Sequence, residues 1–419
     1  MNRLRATRAP AARWVRLCAT GTLAIALAAC GQLPPRSASP VTEGPAGLGF
    51  YTPPQPLPAG RHGDLIWSRA LQGDAALPSA ARNWLVLYRS TNVAGEPIAV
   101  SGTVAIPAGT PPPGGWPVIS WTHGTTGIAD VWAPSRNGPN YPDKDYVDGI
   151  NQVLDQWVKK GYAVLKTDYE SLGTPGVHPY LNGWSEARGA TDIVRAARQL
   201  SASLGRDWLV MGHSQGGQAA AYTAQLGPLY APELQLKGAV AISPATSLSE
   251  AVAHSLKDTK GQANAFLPLI MVGMAADAPG VKLDALLTPK GRELIRVVDQ
   301  DCIAALRAPG GWGTFKNDRL IDFKADFRPL LDALNSLSAT QNLRPAVPLL
   351  VLQAHNDHIT VKPLTDLMVH RFENLGVDVR YIAYTDVPDA PGSATHRATV
   401  PRSLKDAMAW VAQRFAAPR

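Results

Sequence analysis

The segment Gly212-His213-Ser214-Gln215-Gly216 places a serine between two glycines. An apolar run, Leu209-Val210-Met211, leads into it, and a helix-forming Gln/Ala/Tyr stretch follows. Gly-x-Ser-x-Gly in a strand–tight turn–helix context forms a nucleophile elbow. The turn strains the serine backbone and lifts its hydroxyl clear of the sheet. The flanking glycines are needed because a Cβ there would collide with a neighbouring strand or helix. The pentapeptide alone is a weak signal. A serine hydroxyl is a poor nucleophile at neutral pH, so the reading needs a base and an acid that orients the base.

Behind such an elbow the partners follow in chain order, acid and then histidine. Asp357 lies in Gln353-Ala354-His355-Asn356-Asp357-His358, straight after an apolar strand pattern. Asp386 and Asp389 are the alternatives, one strand later. His396, in Pro391-Gly392-Ser393-Ala394-Thr395-His396, is expected in a loop after the last strand. It is the only histidine beyond His370, which falls in a helical stretch. His355 and His358 are read as loop packing. With Asp357 they make at most a partial metal set, and no further ligands cluster near them, so neither a metal nor a cofactor is expected. Acyl transfer also develops an oxyanion, which needs two preorganised donors. The backbone N–H of Gln215 is the first. The second is expected from His123-Gly124-Thr125, at Thr125, with Gly124 as second choice. His123 and His213 are read as packing residues.

The elements that would hold these residues alternate. Two strands, at 84–90 and 98–106, form an opening antiparallel hairpin. A strand is expected at 117–122, a helix at 146–160 and a strand at 162–167. A helix follows at 185–200, with Ser185 as its N-cap. The strand 208–211, the helix 215–225 and the strand 236–242 surround the elbow. The alternation breaks over 243–344 and resumes with a strand at 348–353, a helix at 364–375, a strand at 377–385 and a helix at 403–415. This is an α/β pattern: a mostly parallel sheet with flanking helices. The interruption at 243–344 reads as an inserted helical cap rather than a separate domain, because neither flank closes its sheet alone.

The chain has 419 residues, 45% hydrophobic and 17% charged, which is ordinary globular composition. The formal charge of +7 does not indicate nucleic-acid binding, because Arg3, Arg5, Arg8, Arg13 and Arg16 lie in an acid-free first 29 residues. The remainder carries no basic cluster with interleaved aromatics. Those arginines precede an apolar stretch, Leu17 to Leu27, too short for a permanent bilayer helix. Residues 1–29 therefore read as a signal peptide. Leu27-Ala28-Ala29-Cys30-Gly31 is similar to a bacterial lipobox, with Cys30 as the lipidated first residue of the mature chain. An ordinary cleavage near Ala29 or an uncut anchor are the alternatives. Lipidation implies an exported lipoprotein of the cell envelope, and Gly31 favours the outer membrane. Residues 30–60, rich in Pro, Gly and Ser, read as a tether, ordered towards Phe50-Tyr51. Residues 61–419 are expected to form the α/β domain, with the cap inserted at about 243–344. Of three cysteines, Cys18 lies in the signal and Cys30 at the lipidation site, so Cys302 is left without a partner.

Three stretches resemble the secretory lipase family, which includes fungal lipase A-type enzymes and bacterial relatives. They are the elbow 212–217, the run Asp168-Tyr169-Glu170-Ser171-Leu172-Gly173-Thr174-Pro175-Gly176 with His178-Pro179-Tyr180-Leu181, and the entry Phe50-Tyr51-Thr52-Pro53-Pro54. The resemblance spans roughly Phe50 to the end. It implies an α/β-hydrolase with a helical cap, carboxylic-ester hydrolysis, and Ser214, Asp357 and His396 as the triad. The chain departs from the fungal members in lacking their disulfides. It also has His-Gly-Thr where they carry an acid as the second oxyanion residue. The sequence thus points to a serine esterase or lipase acting on acyl esters. The same triad would serve an acyltransferase or peptidase, and a surface lipoprotein using the fold only for binding is the non-catalytic alternative.

Overall fold

Strong apolar runs flanked by helices build a sheet covered on both faces. In the computed structural model, which describes residues 42–416, nine strands form one sheet in the order β1-β2-β3-β5-β4-β6-β7-β8-β9. These are β1 (Leu65–Ala70), β2 (Ala80–Thr91), β3 (Pro97–Pro107), β4 (Trp116–Thr122), β5 (Ala163–Thr167), β6 (Leu204–His213), β7 (Gln235–Ile242), β8 (Leu349–Ala354) and β9 (Val379–Tyr384). The first three pair antiparallel, and β3 joins β5 antiparallel. Every pairing from β5 through β4, β6, β7 and β8 to β9 is parallel. The signal stretch, Cys30 and the start of the tether lie outside the described residues.

Alternation along the strands divides the core into two layers. In β6, Trp208 and Val210 join the layer under α2 (Gly183–Leu200) and α3 (Gln215–Tyr230), whereas Leu209 and Met211 face the other side. That second layer lies under α1 (Lys144–Lys159) and the closing helix 394–416. Burial on both faces explains why the central strands read as unbroken apolar runs.

Between β7 and β8 the chain is helical: α4 (Leu248–Lys257), α5 (Leu267–Asp277), α6 (Leu283–Leu286), α7 (Pro289–Ile295), α8 (Ile303–Arg307), α9 (Asn317–Leu320) and α10 (Arg328–Leu337). These pack around their own apolar cluster, including Leu269, Met271, Trp312 and Leu334, and take in Tyr180 and Leu181 from below. The sheet side is completed by α11 (Lys362–Asn374) and α12 (Ala394–Ala416). The architecture is that of an α/β-hydrolase.

Three local features differ from the sequence reading. An additional edge strand, β1, pairs with β2. The helix expected from Ser185 begins at Gly183, because the Asn182 side chain accepts from the N–H groups of Trp184 and Ser185 and so takes the N-cap. The closing helix runs from Ala394 through Pro401 rather than from Ser403. This puts His396 in a helix's first turn, not a loop. Where it is described, the Pro/Gly-rich stretch lies against the sheet, with Phe50-Tyr51 docked as the aromatics suggested. Glu43 bridges Ser68, Phe50 and Tyr51 are buried beside Trp67, and the Trp67 indole donates to the Phe50 carbonyl at 3.0 Å.

Candidate active site

Ser214 sits between the end of β6 and the start of α3, with φ 59° and ψ −117°. A non-glycine residue in this conformation is strained and persists only where its surroundings fix it. The fixing is visible. The Ser214 N–H donates to the Ile242 carbonyl at 2.9 Å, and the Ser214 carbonyl accepts from Ala245 and Gln218. The Thr122 hydroxyl donates to the carbonyl of Gly216 at 2.8 Å. A Cβ at Gly212 would overlap the Thr122 hydroxyl, and one at Gly216 would overlap the Thr122 carbonyl. Both glycines are thus required by close approach to β4.

Asp357 follows β8 and meets His396 across the sheet's C-terminal edge. Its Oδ2 lies 2.7 Å from His396 Nδ1. Its Oδ1 accepts from the N–H groups of Ile359 (2.8 Å) and Thr360 (3.0 Å), and the Thr360 hydroxyl donates to Oδ2 at 3.1 Å. Burial would raise the Asp357 pKa, but the His396 hydrogen bond and charge, with the two N–H groups, outweigh it and hold it at about 2. The carboxylate is therefore ionised and fixes the ring with Nδ1–H towards itself. The opposite nitrogen, Nε2, is buried without a hydrogen-bond partner. The Ser214–His396 hydrogen bond is thus not formed in this conformation. Catalytic hydrogen bonds in enzymes without substrate are often long and tighten only on binding.

The other candidates sort by their partners. Asp389 pairs with His358 at 2.7 Å, and Asp386 with Arg402 at 2.8 Å, both at the surface. Among the described residues no group of three His, Cys, Asp or Glu side chains is arranged to hold a metal. His123 Nδ1 donates to the Gly124 carbonyl, and its ring packs tilted against Tyr169 with centroids 4.3 Å apart. Burial lowers the His123 pKa to about 4, so it is neutral. His213 is also held neutral by burial, with its Nδ1 2.8 Å from the Tyr146 hydroxyl.

A cavity of about 790 Å³ lies above Ser214 and is partly open to solvent. Thr125 and Gln215 line it, as do Val252 of α4 and Leu267 and Ile270 of α5. Gln215 is the first residue of α3, so its N–H has no intrahelical partner. Thr125 lines the cavity; Gly124 instead packs against Tyr146 and His213, where a Cβ would collide with the Tyr146 hydroxyl. Of the two upstream candidates, Thr125 is therefore the one facing Ser214's cavity.

Sequence reasoning passed over a buried polar group beside the elbow: His178, Glu186 and the side chain of Gln215. The Gln215 amide donates to Glu186 Oε1 at 2.7 Å and to His178 Nε2 at 3.1 Å. Glu186 lies in the first turn of α2, where an acid reads simply as a favourable helix start. Only the motif His178-Pro179-Tyr180-Leu181 carried any signal.

The chain is 25% identical over 385 residues to "Probable inactive lipase MT1628" of Mycobacterium tuberculosis, covering 88% of this chain and 81% of that one. It is 26% identical over 376 residues to a lipase A of Arthroderma benhamiae, covering 81% and 77%. Candida antarctica lipase A in its closed state shares the fold at a TM-score of 0.70 and 20% identity, over 88% of this chain and 86% of that structure. The family model described as secretory lipase matches residues 150–419, from the middle of α1 through the elbow, the cap and both downstream site residues. The chain belongs to the secretory lipase family.

Proposed function

We propose that the protein is an exported serine carboxylic-ester hydrolase that cleaves acyl esters, triacylglycerols among them, through an acyl-enzyme on Ser214. The observation that carries this reading is the buried Asp357–His396 pair, 2.7 Å apart, whose His396 Nε2 is left bare. Nε2 takes the Ser214 proton as Oγ attacks the ester carbonyl, and Asp357 stabilises the imidazolium that forms. The N–H groups of Gln215 and Thr125 receive the oxyanion. His396 returns the proton to the leaving alcohol. Water then enters by the same route, and the carboxylic acid departs. The apolar wall of α4 and α5 suits an acyl chain. No cofactor enters this scheme.

Replacing Ser214 with Ala is expected to abolish p-nitrophenyl ester hydrolysis with an unchanged circular dichroism spectrum; retained activity refutes the scheme. The relative named inactive supports a second, non-catalytic reading, and a fluorophosphonate probe decides between them. Stoichiometric labelling of Ser214 supports the enzyme, and no labelling supports the binding protein. Comparing ester, amide and alcohol acceptors separates hydrolase from peptidase and acyltransferase. The lipobox-like Cys30 supports attachment to the cell envelope, at the outer membrane, with release on Cys30→Ala as its test.

A further inference from the structure

The loop between β5 and α2 runs over the elbow and touches both residues proposed to supply oxyanion N–H groups. On one side, the Tyr180 hydroxyl is 2.6 Å from the Thr125 hydroxyl. On the other, Gln215 gives both hydrogens of its side-chain amide, one to His178 Nε2 of this loop and one to Glu186 Oε1 in the first turn of α2. His178 is fixed in turn. Its Nδ1 donates to the Glu170 carbonyl at 2.7 Å, and its ring stacks parallel on Tyr169 at 5.9 Å. His178, Tyr180, Glu186 and Gln215 are all at most 3% exposed. Glu186 Oε2 has no partner.

We infer that His178, Tyr180 and Glu186 are positioning residues for the oxyanion hole, with Glu186 acting in its neutral carboxylic-acid form. This rests on the reading of Ser214 as nucleophile and of Gln215 and Thr125 as oxyanion donors. Gln215 needs such help because its N–H lies at the open first turn of α3, where no intrahelical bond sets its direction. The side-chain anchor fixes the residue's rotation and hence the aim of that N–H. Thr125, in a loop after β4, needs the same from Tyr180.

The charge state follows from the surroundings. The titratable groups facing Glu186 are His178, Tyr169 and Tyr180 from the loop and Tyr222 from α3. Burial keeps all of them neutral: the His178 pKa falls to about 3, and those of the tyrosines rise. Among the described residues no cation sets its charge, and burial pushes Glu186 up to about 8 against the opposing hydrogen bonds from Gln215 and the Leu181 backbone. A neutral acid accepts from Gln215 without adding negative charge beside an oxyanion. Ionisation would add that charge, so the arrangement weakens in mildly alkaline solution.

The test compares Glu186→Ala, Glu186→Gln and Tyr180→Phe with the unaltered enzyme on a soluble p-nitrophenyl ester from pH 6 to 9.5. Removing an oxyanion donor outright costs about 10²–10³ in kcat, so a misaimed one should cost roughly tenfold to a hundredfold. Glu186→Ala is expected to lower kcat by that amount with KM within about twofold. Glu186→Gln, a neutral isostere, should recover kcat at pH 7 and remove the fall in kcat near pH 8. Tyr180→Phe should lower kcat by about threefold to tenfold. Unchanged kcat in Glu186→Ala, or an alkaline limb that survives in Glu186→Gln, overturns the proposal. Ser214→Ala, run in parallel, separates the two readings. If that variant stays active, the nucleophile assignment has failed. If it is dead while the Glu186 variants are unaffected, only the positioning role has failed.

Discussion

His213 Nε2 donates to the carbonyl oxygen of His396, 3.1 Å away, and the two rings lie 4.4 Å apart. The residue before the proposed nucleophile thus holds the backbone of the proposed base. Tyr146 completes the bond at His213 Nδ1, and the Arg397 guanidinium lies 4.4 Å from the Tyr146 ring while pairing with Asp143. The elbow, α1 and the start of α12 are tied into one unit.

His213→Ala should therefore act on both stability and rate. It takes one donor from the buried His396 carbonyl and one partner from the Tyr146 hydroxyl, at a cost of about 1 kcal/mol for each lost bond. Urea unfolding should show that loss, and kcat should fall more than KM changes, because His396 loses a fixed backbone.

Asp357→Asn should keep the shape of the site and remove the charge that stabilises imidazolium. By analogy with other triads, kcat should fall by about 10³–10⁴. The same carboxylate links stability to acid. Its pKa is held at about 2, below the ordinary 3.8, so its contribution is present above the unfolded value and is lost as pH falls towards 2. That amounts to about 2 kcal/mol. Acid titration of unfolding should show a shallower loss below pH 4 in the variant; an identical acid limb would refute the linkage.

Two glycine substitutions should have opposite signs. Gly216→Ala drives a Cβ into the Thr122 carbonyl, which is backbone of β4 and cannot move aside. It should cost about 3 kcal/mol or more, read as loss of soluble folded protein. Gly149→Ala lies on the exposed face of α1 with nothing near its new methyl. It should stabilise by about 0.5–1 kcal/mol, read as a raised Tm.

The cap cavity predicts chain-length selectivity. Ile270→Trp fills space above Ser214 and should lower kcat/KM on long-chain esters about tenfold relative to butyrate. An unaltered chain-length profile would show that the acyl chain leaves by another route.

Asn182→Ala removes the α2 N-cap and the 2.5 Å bond to Asp277 of α5. A cap is worth about 1 kcal/mol. The loss should appear in urea unfolding and exceed that of a cap alone, because the same amide joins sheet domain and cap. Ser185→Ala, at the position the sequence suggested for the cap, loses instead a hydrogen bond to Glu170.

The sequence by itself determined the elbow and the sheet from β2 onward. Continuous apolar runs and helical periodicity are local properties, and Gly-His-Ser-Gln-Gly after Leu209–Met211 specifies its own turn. It also named Asp357 and His396, because chain order after an elbow leaves few candidates. What it could not decide depends on side chains distant in sequence. Asn182 caps α2, and Ser185, one turn inside it, turns its hydroxyl to Glu170 instead, 15 residues away. His396 entered a helix because α12 continues through Pro401, a residue that locally reads as a stop. Glu186 looked like an ordinary first-turn acid until the fold set it against Gln215, 29 residues away, and surrounded it with neutral rings. The chemistry at the elbow is written in short-range pattern. The charge state and aim of the groups around it arise from burial and long-range hydrogen bonding, which only the tertiary structure decides.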